Sequence, residues 1–345
     1  MSGTSLDGVD LCFSNFSYEN NDWKFIIRVS YTVPYEKSWI TKLTNAHRLS
    51  EIKLKELDLE YTSYLSEIIL RFIQKNQISN IDFISSHGHT VFHEPKKQIT
   101  YQIGNRVELN NLTNLKVVCD FRVQDVQLGG QGAPLVPIGD LLLFSEYSHC
   151  LNLGGFSNIS VKSNKNIIAY DICPVNIVLN KYSKLIGFDF DMDGQISKSG
   201  NINKNLLKSL NKISYYNLTH PKSLGLEWVE NKIYPLIDYY SISVENILRT
   251  FVEHIAIQIS NNLRGDNLKI LVTGGGVKNK FLVERIKELS KKNLEIISEN
   301  ITDHKEALIF GFLGVLRDLN INNCYTSVTG ASKDHSSGKI FINKV

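Results

Sequence analysis

A glycine turn leading into a pair of strand-like runs occurs twice in this chain, and that repeated order limits the fold more than any other feature. The first copy is Gly3-Thr4-Ser5-Leu6-Asp7-Gly8, followed by strand-like residues 9–17, a turn at Asn20-Asn21-Asp22 and strand-like residues 23–33. The second begins with the apolar run 150–153, turns at Gly154-Gly155, and continues through 157–162, a turn at 164–166 and 167–170. Each copy is followed by helical periodicity. Leu54, Leu57, Tyr61, Leu65, Ile68, Ile69 and Phe72 recur at helical spacing over 50–75, ahead of buried-strand patterns at 81–85 and 116–119. In the second half, helices are expected at 179–186, 206–213, 244–263 and 281–290, with a strand at 269–273 and a closing helix at 306–319. The pattern predicts an α/β protein made of two similar lobes around a central cleft. The expected lobes are 1–140 and 141–345, with the last helix at the hinge.

Composition narrows the partners. Lys and Arg total 38 and Asp and Glu 35, a net charge of +3, too weak and scattered for nonspecific nucleic-acid binding. The longest apolar run, 307–316, is half the roughly 20 residues that span a bilayer, so no membrane partner is expected. No basic and apolar leader is visible at the N-terminus, and a cytoplasmic location is expected. The five cysteines are far apart, without a C-x-x-C pair, and read as reduced thiols.

Several segments carry residue types suited to chemistry. In Gly3–Gly8, glycine amides and hydroxyls can cradle phosphate oxygens while Asp7 holds Mg²⁺ through water; an ordinary hairpin turn is the alternative. Leu153-Gly154-Gly155-Phe156-Ser157-Asn158 repeats this chemistry, so the two turns together could grip a polyphosphate. Thr273-Gly274-Gly275-Gly276 lies between a strand and a helix, where the backbone can approach a nucleotide closely or simply make a tight connection. Asp120 and Arg122 follow a strand and could bind ligand or pair with each other. Ser86-His87-Gly88-His89-Thr90 lacks the helical spacing of common zinc motifs and fits sugar recognition or a local polar network. Asp171 precedes Ile172-Cys173-Pro174-Val175-Asn176, where it could accept a proton or cap the following helix. Asp191 and Asp193 read as a solvated acidic turn.

Taken together, MSGTSLDGVDL (1–11), SHGHTVFHEP (86–95), DFRVQDVQLGGQGAPLVP (120–137), LNLGGFSNIS (151–160), TGGGVKNKFL (273–282) and SVTGAS (327–332) resemble the anhydro-N-acetylmuramic acid kinase family. That family belongs to the superfamily of sugar kinases, Hsp70 and actin, so the resemblance implies a duplicated two-lobed actin-like ATPase fold. It implies ATP and Mg²⁺ as cofactors and 1,6-anhydro-N-acetylmuramic acid as substrate. ATP would phosphorylate O6 while water opens the anhydro bridge at C1, giving N-acetylmuramic acid 6-phosphate and ADP in peptidoglycan recycling. Asp171 takes the position of the general base. Gly3, Thr4, Ser5, Leu6, Asp7, Gly8, Val9 and Asp10 fall in the first phosphate segment, with Asp7 near the metal. Gly154, Gly155 and Asn158 resemble the second, and Gly274, Gly275, Gly276 and Asn279 the adenosine segment. His87, Gly88, Thr90, Asp120 and Arg122 fall in blocks lining the sugar side, Arg122 as the fork for a carboxylate or phosphate. A homodimer is implied by the family alone.

Three departures set further expectations. Ile172 to Val175 replace the family's Thr-Gly-Pro-Gly, so that loop cannot use positive φ cheaply. His89 stands where the family has Gln, which predicts an altered pH dependence. Only Met1 and Ser2 precede the first glycine turn, where the family has a central strand; the expectation is an apolar segment upstream of the given sequence, the alternative a first lobe that lacks those sheet hydrogen bonds and is weakly stable. The alternatives are a non-hydrolysing sensor of anhydromuropeptide sugars, a kinase for another sugar, or a glycoside hydrolase using Asp171 with Asp120.

Overall fold

The structure is a computed structural model describing residues 1–3, 6–163 and 166–343. Thr4 and Ser5 of the first glycine turn, and residues 164 and 165 of the turn expected at 164–166, lie outside the described residues. The strands in chain order are β1 (Gly8–Glu19), β2 (Asp22–Pro34), β3 (Ile84–Ser86), β4 (His89–Glu94), β5 (Ile99–Ile103) and β6 (Val117–Cys119). They continue as β7 (His149–Leu153), β8 (Phe156–Ser163), β9 (Asn166–Pro174), β10 (Ile270–Thr273), β11 (Leu294–Glu295) and β12 (Lys339–Phe341). Among the described residues no helix is long and apolar enough to cross a membrane.

The chain divides into two compact units, Met1–Phe144 with His304–Val345, and Ser145–Asp303. In the first unit β1 and β2 form an antiparallel hairpin closed by Asn20 and Asn21, both at positive φ, the geometry of a type I′ turn. The hairpin is a sheet by itself. A second sheet has the order β12-β6-β3 and a third pairs β4 with β5. The helix Glu51–Lys75 buries Leu54, Leu57, Tyr61, Leu65, Ile68 and Ile69 against Ile103, Leu109 and Val117. Its Asp58 faces inward because Oδ1 accepts the Gly104 amide at 2.7 Å and Oδ2 the Tyr101 hydroxyl at 2.6 Å.

The C-terminal boundary expected from the sequence needs correction. Residues 304–345, expected in the second lobe, belong to the first unit. The reason is packing: β12 adds an antiparallel edge to β6, and Phe312 stacks on Phe16 and Trp23 of the hairpin at 5.5 and 5.0 Å. The helix Glu299–Asp318 loses helical geometry at His304, where the unit boundary falls.

The second unit is built on one five-stranded sheet, order β11-β10-β7-β8-β9. The strand β7 is central, antiparallel to β8 on one side and parallel to β10 on the other. Leu151, Leu153, Ile159 and Ile172 are fully buried on one face, under the helices Asn176–Lys184 and Val244–Asn262.

Candidate functional site

In the second unit, register places four polar residues in one row. Thr273 of β10 is opposite Asn152 of β7, Asn152 is opposite Asn158 of β8, and Asn158 is opposite Asp171 of β9. Directly paired residues point to the same face, so the row lines the face away from Leu151 and Leu153. Alternation alone produces this, since Leu151-Asn152-Leu153 reads apolar, polar, apolar. Thr273 opens a glycine segment already singled out in the sequence, whereas Asn152 was missed; the signal available was a polar residue beside a glycine turn at a strand end.

The two glycine turns of this unit sit against that row. Gly274 has φ 88°, and a Cβ there would collide with Asn152 Oδ1 and approach the Leu153 carbonyl carbon at 2.8 Å, so only glycine fits. Gly276 likewise packs on Leu153. Gly155 and Gly275 are different: a Cβ would meet nothing nearer than 4.0 Å at Gly155 and 3.9 Å at Gly275. Their backbone is open to a ligand. The Thr273 hydroxyl is buried with no hydrogen-bond partner among the described residues. Open glycine backbone beside an orphaned hydroxyl suits a phosphate chain. Asn279 has a job of its own, accepting the Leu282 amide at 2.9 Å as the N-cap of the helix Lys280–Ser290.

Asp171 lies within β9, so it does not cap the next helix, which begins at Asn176 after Val175. One oxygen, Oδ2, accepts the Leu224 amide at 2.8 Å, and the Asp171 carbonyl accepts the Tyr215 hydroxyl at 2.8 Å. Burial pushes the carboxyl up from its ordinary value, and the Leu224 N–H opposes the rise. The raised pKa makes the carboxylate a better proton acceptor.

The loop after Asp171 accommodates its lost glycines simply. Ile172, Cys173 and Val175 are fully buried in the core of this unit, and no residue from 172 to 176 has positive φ. A bulge in the β8–β9 pairing absorbs Ile172. Asp191, expected in a solvated turn, is buried and accepts the amides of Ile196 and Ser197 at 2.8 and 3.0 Å; Asp193 pairs with Lys280 at 3.2 Å.

In the first unit His87 and Arg122 come together. Arg122 Nε donates to His87 Nε2 at 3.0 Å and Nη1 to the Gly132 carbonyl at 2.6 Å. An Arg donor at Nε2 and the Gly88 carbonyl 2.9 Å from Nδ1 leave one consistent state, neutral His87 protonated on Nδ1. Burial, then Arg122, hold its pKa well below the usual value. Burial also lowers Arg122, to about 10. Gly88, at φ 69°, meets the Ile103 carbonyl too closely for any side chain. Thr90 lies opposite Gln102 on β5, whose Oε1 is buried without a partner among the described residues. Asp120 does not pair with Arg122: it sits at φ 59° and holds Lys339 of β12 at 2.7 Å.

His89 also behaves differently from expectation. Its Nδ1 is 2.9 Å from Ser2 Oγ, which reaches Tyr35 OH at 2.7 Å, and burial lowers its pKa to about 4. The ring is neutral across the physiological range, so it adds no titration there. In the first glycine turn, Leu6 is at φ 56° with its amide 3.3 Å from the Gly3 carbonyl, Asp7 is exposed, and Val9 is buried. Asp10 accepts the Thr32 hydroxyl at 2.6 Å.

Residues 1–343 match the anhydro-N-acetylmuramic acid kinase family. The chain belongs to that family. It is 31% identical to the anhydro-N-acetylmuramic acid kinase of Sulfurovum sp. (strain NBC37-1), over 99% of this chain and 98% of that one. It is 34% identical to the enzyme of the same name from Haemophilus influenzae, over 99% of this chain and 96% of that one. Among solved structures it is similar to the activator of the 2-hydroxyisocaproyl-CoA dehydratase from Clostridium difficile with bound ADPNP, at 15% identity and TM-score 0.36, covering 59% of this chain and 78% of that one. A likeness that low carries no argument about fold or ligand.

Proposed function

We propose that the protein is an ATP-dependent kinase that opens 1,6-anhydro-N-acetylmuramic acid with water and phosphorylates O6, releasing N-acetylmuramic acid 6-phosphate and ADP during peptidoglycan recycling in the cytoplasm. The observation that carries the reading is Asp171, a half-buried carboxylate of raised pKa at the β9 end of a polar strand row whose β7 and β10 members run into glycine turns, in a chain matched to this family over 1–343.

Asp171 takes a proton from water, which attacks C1; the C1–O6 bond breaks, and O6 takes the γ-phosphoryl group of ATP. A positioned carboxylate contributes about 10²- to 10⁴-fold to such a step. Its fixed bond from Leu224 leaves the other oxygen, Oδ1, for the water. Gly154, Gly155, Asn158 and the first turn, Gly3 to Asp10 including Thr4 and Ser5, take the phosphates. Gly274, Gly275 and Gly276 take the adenosine, with Asn279 shaping the turn as a cap. His87, Gly88, Thr90, Asp120 and Arg122 take the sugar, and Arg122 contributes the charge opposite its carboxylate. Mg²⁺, held by exposed Asp7 through water, would offset phosphate charge.

A coupled ADP-release assay with Mg-ATP and the anhydro sugar tests this. ADP release that needs the sugar, with a sugar phosphate of matching mass, is expected. Ring opening without ATP would replace the kinase by a hydrolase, and sugar binding without ADP release would make the chain a sensor. The substituted loop 172–175 motivated the sensor, yet Asp171 stays paired with Asn158 beside the β8–β9 bulge, so no observation favours that reading.

A further inference from the structure

The first unit also buries a carboxylate, a thiol and an imidazole together. Asp125, Cys324 and His335 are 0%, 3% and 5% exposed, and their ligating atoms all lie within 4.8 Å of one another. Cys324 and His335 are preorganised by an antiparallel bridge: the Cys324 amide donates to the His335 carbonyl at 3.1 Å, and the His335 amide to the Cys324 carbonyl at 3.0 Å. Asp125 is fixed by the Gly132 amide on Oδ2 and the Thr329 hydroxyl on Oδ1, each at 2.7 Å.

The imidazole is the telling group. Its Nδ1 is 3.0 Å from the Lys333 carbonyl, which can only accept, so Nδ1 carries a hydrogen and Nε2 is the ring atom turned to the other two groups. That Nε2 is buried without a hydrogen-bond partner among the described residues and faces Asp125 Oδ1 at 3.5 Å. A positive charge suits the space between Nε2 and the buried carboxylate oxygen, a proton on Nε2 or a metal ion, and the third donor, Cys324, points to the metal. A proton needs two groups; a thiol, an imidazole and a carboxylate converging from three chain segments are a ligand set.

We propose that Asp125 Oδ1, His335 Nε2 and Cys324 Sγ form a structural Zn²⁺ site. Bond lengths of about 2.0–2.3 Å to O, N and S put tetrahedral ligands about 3.3–3.7 Å apart. The Asp125–His335 pair already meets that spacing. The thiolate and imidazole select zinc over Mg²⁺ and Ca²⁺, which take oxygen donors, so this ion is separate from the one that accompanies ATP. Binding displaces the Cys324 proton to solvent: the S–H bond breaks, an S–Zn bond forms, and the divalent charge is balanced by thiolate and carboxylate. The ion ties the 129–134 glycine segment, through Asp125 and Gly132, to the C-terminal segment. Gly132 links the site to Arg122, whose Nη1 donates to the Gly132 carbonyl, but none of the three ligands is a residue assigned to the proposed reaction.

Tag-free full-length protein, stripped with chelator and titrated with Zn²⁺ or Co²⁺, tests it. One equivalent is expected, with a thiolate-to-cobalt absorption band. Cys324→Ser and His335→Gln are expected to weaken binding by about 100-fold or more, removing the band in the first case, while ADP release persists. X-ray absorption of the zinc-loaded wild type needs no variant; it should show one sulfur among nitrogen and oxygen neighbours. Equal metal uptake by wild type and the double variant, no uptake at all, or a zinc shell without sulfur would overturn the proposal.

Discussion

The two units solve the same construction problem differently. In the second, the hairpin β8–β9 is hydrogen-bonded into a sheet through the central strand β7, which also carries β10. In the first, the hairpin β1–β2 and the sheet β12-β6-β3 share no backbone ladder among the described residues. What fastens the hairpin there is side-chain chemistry. Phe16 and Trp23 pack on Phe312, Phe25 meets Phe144 edge-on at 5.4 Å, and Ser2 links Tyr35 to His89. A ladder spreads its load over many backbone bonds, whereas a few aromatic contacts concentrate it. The second unit is therefore the rigid frame for Asp171, and the first is the one whose stability single side chains control.

The comparison can be broken most readily at Asp171. Asp171→Asn should lower turnover by about 10²- to 10⁴-fold, with ATP affinity unchanged by calorimetry, because the Leu224 bond and the glycine turns survive. In the wild type, turnover should fall with falling pH through a value above the usual ~3.9 of aspartate, since the base works only when deprotonated and burial raises its pKa. A profile flat down to that usual value would contradict a base of raised pKa at Asp171.

Phe312→Ala should cost about 3–5 kcal/mol, because the ring is fully buried and anchors the first hairpin. Hydrogen exchange should quicken in β1 and β2 while β8 and β9 stay protected. Equal loss in both hairpins would erase the contrast. Ser2→Ala removes one buried hydroxyl from the Tyr35–His89 link and should cost about 1 kcal/mol in denaturant unfolding. Smallest of all, His89→Gln should leave the pH–rate profile between about pH 5 and 8 unchanged, since a ring with pKa about 4 is already neutral there.

Local rules made much of this legible in the sequence. Alternation and the Asn20-Asn21 turn mark the first hairpin, and apolar spacing marks the helix Glu51–Lys75 within a residue. Asp171 and the glycine turns stand out because strand ends displaying carboxylate and glycine are chemically conspicuous. What was hidden depends on distant partners. Nothing local says that residues 304–345 return to the first unit, since the decisive contacts of Phe312 and β12 are with segments far away in sequence. The row Thr273, Asn152, Asn158 and Asp171 depends on register across four strands, and the protonation of His87 on an arginine 35 residues away. Helix caps such as Asn279 and Asp191 carry the same residue types as ligand contacts, so composition cannot separate the two roles.

Isotope tracing probes the base most directly. Run in ¹⁸O-water, the wild type should place the label on the C1 hydroxyl of the sugar phosphate and none on the phosphoryl group, and Asp171→Asn should give the same labelled product at a rate lower by about 10²- to 10⁴-fold. Label in the phosphoryl group, or a variant that incorporates it at the wild-type rate, would contradict a water activated by Asp171.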